Sequence, residues 1–206
     1  MANSKSMRMH EKAMELNDRE RLLELIKTKA LEVRKVTLSS GRSSDYYVDC
    51  KRVTLSSEGA YLCAKLMLEK IHPEIVAVGG LTLGADPIVA SISVLSHLKG
   101  KGLSGMIVRK EPKKHGTMNY VEGPALEVCA KVAVVEDVVT SGASLLLAIE
   151  RITAAGYKVT QALALLDRQE GGREAILAKG LALQALFCRD DLDPIGTNEV
   201  TNNKRE

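Results

Sequence analysis

The sequence predicts an α/β fold in which helices cover both faces of a parallel sheet. Short apolar runs without polar alternation indicate four buried strands, at residues 75–78, 106–108, 132–135 and 162–166. Helical spacing of apolar residues separates most of these strands, at residues 87–98, 144–155 and 173–179. Strands that alternate with helices in this way are typical of a doubly wound sheet.

The residues ahead of these strands predict a smaller α+β elaboration. Helical spacing runs over residues 18–31 with Asp18 as the expected cap, and residues 36–53 predict a hairpin around a Ser/Gly-rich turn. A second helix is expected over residues 57–71, and the tail 190–206 is polar. The expected buried face of that second helix comprises Tyr61, Ala64, Leu68 and Ile71.

Composition excludes several classes of protein. The 206 residues suit a single domain spanning 1–206, with 29 basic and 26 acidic residues; the net charge of +3 is too small to predict nucleic-acid binding. No stretch approaches the roughly 18 apolar residues that cross a bilayer, and residues 1–17 lack the apolar run of a signal peptide. The cysteines have no metal-site spacing, so we expect reduced thiols, a cytoplasmic location and no membrane partner.

The most informative segment is a strand that ends in two acids. Glu136 and Asp137 follow an apolar run, and a turn of small residues then opens a helix. Such a helix start binds anions, while two acids beside it suit sugar hydroxyls or a metal ion. A ribose phosphate would satisfy both; the alternative is an ordinary turn capped by Thr140 or Ser141, with solvated acids. The run from Gly79 to Gly84 lacks the Lys and Ser/Thr of a P-loop.

A basic loop follows the predicted strand 106–108. Its charged and imidazole side chains belong to Arg109, Lys110, Lys113, Lys114 and His115. Cations that close over a leaving diphosphate would stabilise its developing charge and exclude water. The alternative is a solvated basic loop, which is the usual state of a run of charges.

Residues 134–142 resemble the phosphoribosyl pyrophosphate (PRPP) motif of type I phosphoribosyltransferases, and residues 109–116 resemble the catalytic loop of orotate phosphoribosyltransferases. The resemblance implies diphosphate binding by Arg109, Lys110, Lys113 and His115, with Lys113 and His115 as the catalytic pair. It also implies ribose-phosphate binding by Glu136, Asp137, Val138, Val139, Thr140, Ser141, Gly142, Ala143 and Ser144.

The resemblance extends to the end of the site that would hold the base. Tyr46 and Tyr47 match an aromatic pair in that family's N-terminal hood, although one tyrosine facing the core is the plainer alternative in a chain with 3% aromatic residues. Arg168 matches the orotate-binding arginine and Thr140 a second orotate contact; the alternative for Arg168 is an ion pair with Asp167 or Glu170. Residues 79–87 match the pyrophosphate-side loop.

Two cations found in some members are missing here, at Ser39 and Leu83. Lys51 and Arg52 are the candidates to replace them. The resemblance covers roughly residues 18–187, with hood elements mainly in 18–56 and the core in about 57–188.

The implied activity is transfer of the phosphoribosyl group of PRPP to orotate in pyrimidine biosynthesis. Mg²⁺ is the implied cofactor, held mainly by PRPP and water rather than by a protein cage. The family also implies a homodimer in which loop 109–123 reaches the neighbouring site. A purine phosphoribosyltransferase, or a PRPP-sensing regulator without chemistry, are the alternatives; neither needs both the basic loop and Arg168.

Overall fold

The computed structural model describes residues 16–37, 43–112 and 119–192. Helix α1 (Asp18–Leu25) begins at a capping box, in which the Asn17 carboxamide accepts from the Glu20 amide at 3.0 Å and the Glu20 carboxylate accepts from the Asn17 amide at 2.9 Å. The cap is therefore Asn17, and the prediction of Asp18 was wrong by one residue. A π-helical turn (Ile26–Ala30) ends the helical segment.

The predicted hairpin is present. Strands β1 (Leu31–Thr37) and β2 (Ser43–Val48) pair antiparallel, with Leu31 opposite Val48. The first strand begins earlier than predicted, because residue 31 already pairs across the hairpin. The predicted turn residues, Ser39 among them, lie outside the described residues.

Two helices follow the hairpin, α2 (Lys51–Thr54) and α3 (Ser57–Lys70). The predicted face of α3 was wrong in one member, since Tyr61 is 49% exposed. The helix instead turns a broader set of small and aliphatic residues inward, namely Gly59, Leu62, Cys63, Ala64, Met67 and Leu68.

The predicted parallel sheet is confirmed. Its strands are β3 (Ala77–Leu81), β4 (Ser104–Val108), β5 (Val121–Glu122), β6 (Lys131–Val139), β7 (Lys158–Asp167) and β8 (Leu183–Cys188). Within the described residues their order is β5-β4-β3-β6-β7-β8, and only β5 runs antiparallel to its neighbour. Sequence patterning missed β5, which has two residues, and β8, an edge strand that is only partly buried.

Helices cover both faces of this sheet, as predicted. They are α4 (Asp86–Leu98), α5 (Ala143–Ala154), α6 (Gly172–Leu177) and α7 (Arg189–Leu192). One hydrophobic cluster joins the hairpin, α1, α3 and α4 to the sheet, and a second joins α5 and α6 to the opposite face. No helix in the described part of the chain is long and apolar enough to span a membrane.

The strand order fixes where a ligand can enter. The chain leaves β3 toward β4 on one side and later returns to add β6 on the other side of β3. The loops after β3 and β6 therefore diverge at the carboxyl edge, and such a switch point is where open α/β sheets bind ligands.

Candidate active site

The two predicted acids lie at the switch point, near the end of β6. Glu136 and Asp137 are 5% and 9% exposed. The loop after β3 packs directly against the second acid, since a Cβ on Gly84 would lie 2.4 Å from an Asp137 carboxylate oxygen. A glycine at residue 84 is therefore what lets the two loops of the switch point meet.

Backbone amides hold one oxygen of each acid. The Val138 amide donates to Asp137 Oδ1 at 2.8 Å, and the Asp137 amide lies 3.2 Å from Glu136 Oε1. Glu136 Oε2 is buried and has no hydrogen-bond partner among the described residues. Burial, and then the charge of Asp137, raise the pKa of the Glu136 carboxyl well above its usual value, although Lys110 opposes the shift.

The turn after β6 presents open backbone donors. Gly142 precedes α5 with φ +79°, which a glycine adopts without strain, and no side chain caps the helix. Its neighbour Gly172 also leaves room, because a Cβ there would lie 2.5 Å from the Thr140 carbonyl. The alternative cap by Thr140 or Ser141 is thus absent, and the first-turn amides face a pocket lined by Glu136 and residues 138–145.

A second pocket adjoins the first, and positively charged side chains line it. Its volume is about 260 Å³, and the loop 81–84, Lys51, Lys110 and both acids line it. Arg109 instead pairs with Glu122 at 3.3 Å and lines a separate surface. The structure therefore brings Lys110, but not Arg109, to the acidic pair; Lys113 and His115 lie outside the described residues.

Lys51 is the better of the two candidates for the missing cations. Its Nζ lies 2.6 Å from Asp49 Oδ1. Burial lowers the pKa of Lys51, but the hydrogen bond to Asp49 and the charge of Asp137 outweigh burial and raise it, so the amine stays charged. Arg52 pairs with Glu32 at 2.6 Å and does not line the pocket.

The predicted base end of the site contains Arg168. This residue is 3% exposed, its amide donates to the Val139 carbonyl at 2.9 Å, and its guanidinium carbon lies 4.4 Å from the centre of the Tyr46 ring. The hydrogen bond to the Val139 carbonyl places Arg168 beside the turn that carries Thr140. Arg168 Nε also lies 3.0 Å from Glu170 Oε1.

These contacts revise two expectations about the base end. Asp167 engages Arg173 at 3.0 Å rather than Arg168, and the ion pair with Glu170 is buried rather than on the surface. Tyr46 is buried against Arg168, whereas Tyr47 is half-buried. Tyr46 therefore matches the plainer alternative of facing the core, and Tyr47 stays the candidate of the pair for contact with a base.

Comparison with known proteins identifies the family. Orotate phosphoribosyltransferase of Thermosynechococcus vestitus is 51% identical, over 85% of this chain and 93% of the relative; that of Synechocystis is 47% identical, over 86% and 89%. The chain belongs to the orotate phosphoribosyltransferase family. No family model matches it.

Solved structures of the family share the fold. A crystal structure of Mycobacterium tuberculosis orotate phosphoribosyltransferase in complex with PRPP has a TM-score of 0.71 and 36% identity, covering 85% of this chain and 99% of that one. Adenine phosphoribosyltransferase of Leishmania tarentolae, at 17% identity and a TM-score of 0.57, shares the fold alone. This orotate phosphoribosyltransferase-family chain thus has the type I phosphoribosyltransferase fold.

Proposed function

We propose that this protein transfers the 5-phosphoribosyl group of PRPP to orotate, which gives orotidine 5′-monophosphate and diphosphate. The observation that carries the proposal is the order of groups across the switch point. Two buried carboxylates lie between a helix start with open amides on one side and two lysines on the other. PRPP has the same order of chemistry, with a diol between two anionic groups.

The helix start suits the 5′-phosphate of PRPP. The turn from Val138 to Ser144 offers backbone amides and hydroxyls around a pocket that Glu136 and Leu145 also line. We assign the ribose hydroxyls to Glu136 and Asp137, because Glu136 lines both pockets and Asp137 lines the second pocket beside it. Glu136 Oε2, buried and without a partner among the described residues, would then gain a hydroxyl donor.

Departure of diphosphate is the step that the cations assist. As the C1–O bond breaks, negative charge grows on the leaving oxygen, and Lys51 and Lys110 stand at that end of the pocket. Positive charge placed there stabilises the transition state more than the ground state. The resemblance adds Lys113 and His115 of the basic loop to the same task, and no covalent intermediate is required.

Orotate is assigned to the end held by Arg168 and Thr140. A guanidinium can bind the base's carboxylate through parallel hydrogen bonds, and a purine has no such carboxylate. In the structure the guanidinium is paired with Glu170. Orotate would therefore exchange one carboxylate for another at a buried arginine, with Tyr47 beside the ring.

The residues present fit a magnesium ion that enters with the substrate. The described residues contain no cluster of three or more acidic, histidine or cysteine side chains that could cage a metal, yet the acidic pair leaves one buried oxygen without a donor. Glu136 and Asp137 would orient the ribose hydroxyls around such an ion. When bound, Mg²⁺ would neutralise charge on the diphosphate and hold it against the ribose.

The assembly and location follow from the family resemblance. We propose a homodimer in which loop 109–123 reaches the neighbouring site, in the cytoplasm. All four cysteines are free, which suits a reducing compartment. Burial raises the pKa of the Cys63 thiol to about 12, so this thiol has no part in the chemistry.

One assay tests the activity. The protein is incubated with PRPP, Mg²⁺ and orotate, and the absorbance of orotate is followed; loss of orotate with release of diphosphate is the expected result. Consumption of adenine or guanine instead would favour a purine enzyme. Binding of PRPP without turnover of any base would favour a regulator.

A further inference from the structure

Arg151 joins the helix of the phosphate site to the stem of the basic loop. It lies in the last turn of α5, and the first turn of that helix lines the proposed 5′-phosphate pocket. Its Nη1 donates to the carbonyl of Arg109, and its Nη2 donates to the carbonyl of Lys110 at 2.8 Å. One guanidinium thus holds two successive carbonyls of the segment that leaves β4.

The same guanidinium also contacts the returning side of the loop. Its central carbon lies 4.1 Å from the centre of the Tyr120 ring. The two sides of the stem are joined to each other as well, since the Arg109 amide donates to the Tyr120 carbonyl at 2.8 Å and Val108 pairs with Val121. Arg151 therefore closes a ring of contacts around the base of the loop.

The planar fork of arginine is what these contacts require. Two separated N–H donors reach two carbonyls in one plane, while the face of the guanidinium stacks on an aromatic ring. A lysine keeps the charge but has neither the fork nor the planar face. Arg151 has no ion pair within the described residues, so its contacts fix the direction of the backbone at Lys110, whose side chain lines the pocket with the acidic pair.

We propose that Arg151 is a positioning residue for the diphosphate end of the site, which fixes the stem of the basic loop to the helix that binds the 5′-phosphate. The inference rests on the proposed function for its catalytic consequence. It predicts that Arg151 governs how cations meet the leaving diphosphate without contacting substrate. The 5′-phosphate end of the pocket, about two helical turns away along α5, should not depend on Arg151.

The test compares Arg151→Lys with a matched control, Arg19→Lys. Arg19 also donates to a carbonyl and stacks on an aromatic ring, but at β8 rather than at the loop stem: its guanidinium lies 3.3 Å from the Leu186 carbonyl, 4.7 Å from the Phe187 ring centre and 3.0 Å from Asp191 Oδ1. For Arg151→Lys we expect kcat/KM for PRPP to fall by about 10- to 100-fold, the loss typical of a misplaced catalytic group. The affinity for ribose 5-phosphate should stay at the wild-type value, and Arg19→Lys should keep both.

Hydrogen exchange gives a readout that does not depend on activity. Arg151→Lys should speed exchange of the Arg109 amide, which is bonded to the Tyr120 carbonyl, whereas Arg19→Lys should not. If the wild-type protein does not turn over orotate, the proposed function is overturned but the inference about Arg151 is not. The hydrogen-exchange comparison would still test whether Arg151 holds the loop stem. The inference is overturned if exchange is unchanged, if both variants have the same kinetics, or if ribose 5-phosphate affinity falls together with that for PRPP.

Discussion

Backbone groups form one end of the proposed substrate pocket, and side chains form the other. The proposed ribose-phosphate end is backbone: open amides of α5, and glycines that allow loops to approach within distances no Cβ would permit. The proposed base end is made of side chains that contact one another, with Arg168 against both the Glu170 carboxylate and the Tyr46 ring. The first end is preformed for an anion, whereas the second must exchange partners when its ligand arrives.

The difference has a physical reason. Backbone amides at a helix start cannot turn away, so an anion finds them in place at no cost of reorganisation. A guanidinium buried without a counter-charge is costly, so the base end needs an internal carboxylate whenever orotate is absent. Variants should therefore affect the two ends in different ways.

The largest effect is expected from a residue of the basic loop that belongs to neither end. Lys113→Ala should lower kcat by about 100- to 1,000-fold, because it removes positive charge from the developing diphosphate. Steady-state kinetics on the folded variant would check this, with KM for orotate unchanged. A near-normal kcat would refute the assignment of Lys113 as the main catalytic side chain.

Gly142→Ala tests the preformed end. The φ of +79° is unfavourable for alanine, and a Cβ would lie 3.2 Å from Gly172, so the turn must shift. We expect affinity for PRPP to fall by roughly 10- to 100-fold in calorimetric titration. The control is Gly156→Ala, which shares a positive φ but has no atom within 4 Å of the added Cβ; it should lose stability while keeping PRPP affinity.

Arg168→Lys tests the base end. Loss of the bidentate guanidinium should raise KM for orotate by about 10- to 100-fold, which corresponds to about 1.5–3 kcal/mol for hydrogen bonds to a charged group. Affinity for PRPP, measured in the absence of orotate, should stay unchanged. An equal loss of affinity for orotate and for PRPP would mean that the two ends act as one cooperative unit. The claim that they bind their ligands in different ways would then be wrong.

Glu170→Gln tests whether the base end depends on an internal counter-charge. Removing this carboxylate leaves the buried Arg168 guanidinium poorly compensated, so the free energy of unfolding should fall by about 1–3 kcal/mol. Orotate should then stabilise the variant more than it stabilises the wild type, because it supplies the missing carboxylate. Thermal melts with and without orotate measure both effects; equal shifts would show that Glu170 and orotate do not compete.

Glu136→Gln should change stability by an amount that depends on pH. Because the pKa of Glu136 is raised by burial and by Asp137, the folded chain binds this proton more tightly than the unfolded chain, and the wild type loses stability as pH rises above the ordinary value of 4.5. The variant lacks that loss, so its stability relative to wild type should increase with pH by on the order of 1–3 kcal/mol.

Urea unfolding at a series of pH values measures this trend. Glu127→Gln is the matched control, since that side chain is exposed and should show no change with pH relative to wild type. A flat difference for Glu136→Gln as well would mean that the carboxyl keeps its ordinary pKa in the folded chain.

The local pattern was enough to predict most of the sheet and the acidic strand end. Apolar runs without alternation identified β3, β4, β6 and β7, because a strand buried on both faces leaves no place for polar residues. The same rule missed β8, which mixes buried, half-buried and exposed residues without regular alternation, and β5, whose two residues carry no pattern. The capping residue was misplaced because Asn17 and Asp18 are both good caps, and only the reciprocal bond with Glu20 distinguishes them.

The sequence by itself determined the class of fold, the acids of β6, and the glycine turn that follows them. These features depend on residues that are adjacent in the sequence, so they can be predicted without knowing which other segments lie nearby in the fold. Tertiary structure decided which cation meets those acids, Lys51 rather than Arg52, and that Arg168 pairs with Glu170 rather than Asp167. It alone showed Arg151 at the loop stem, 41 residues beyond Lys110. Such pairings depend on which strands are neighbours in the sheet, a relation between distant segments that no local spacing records.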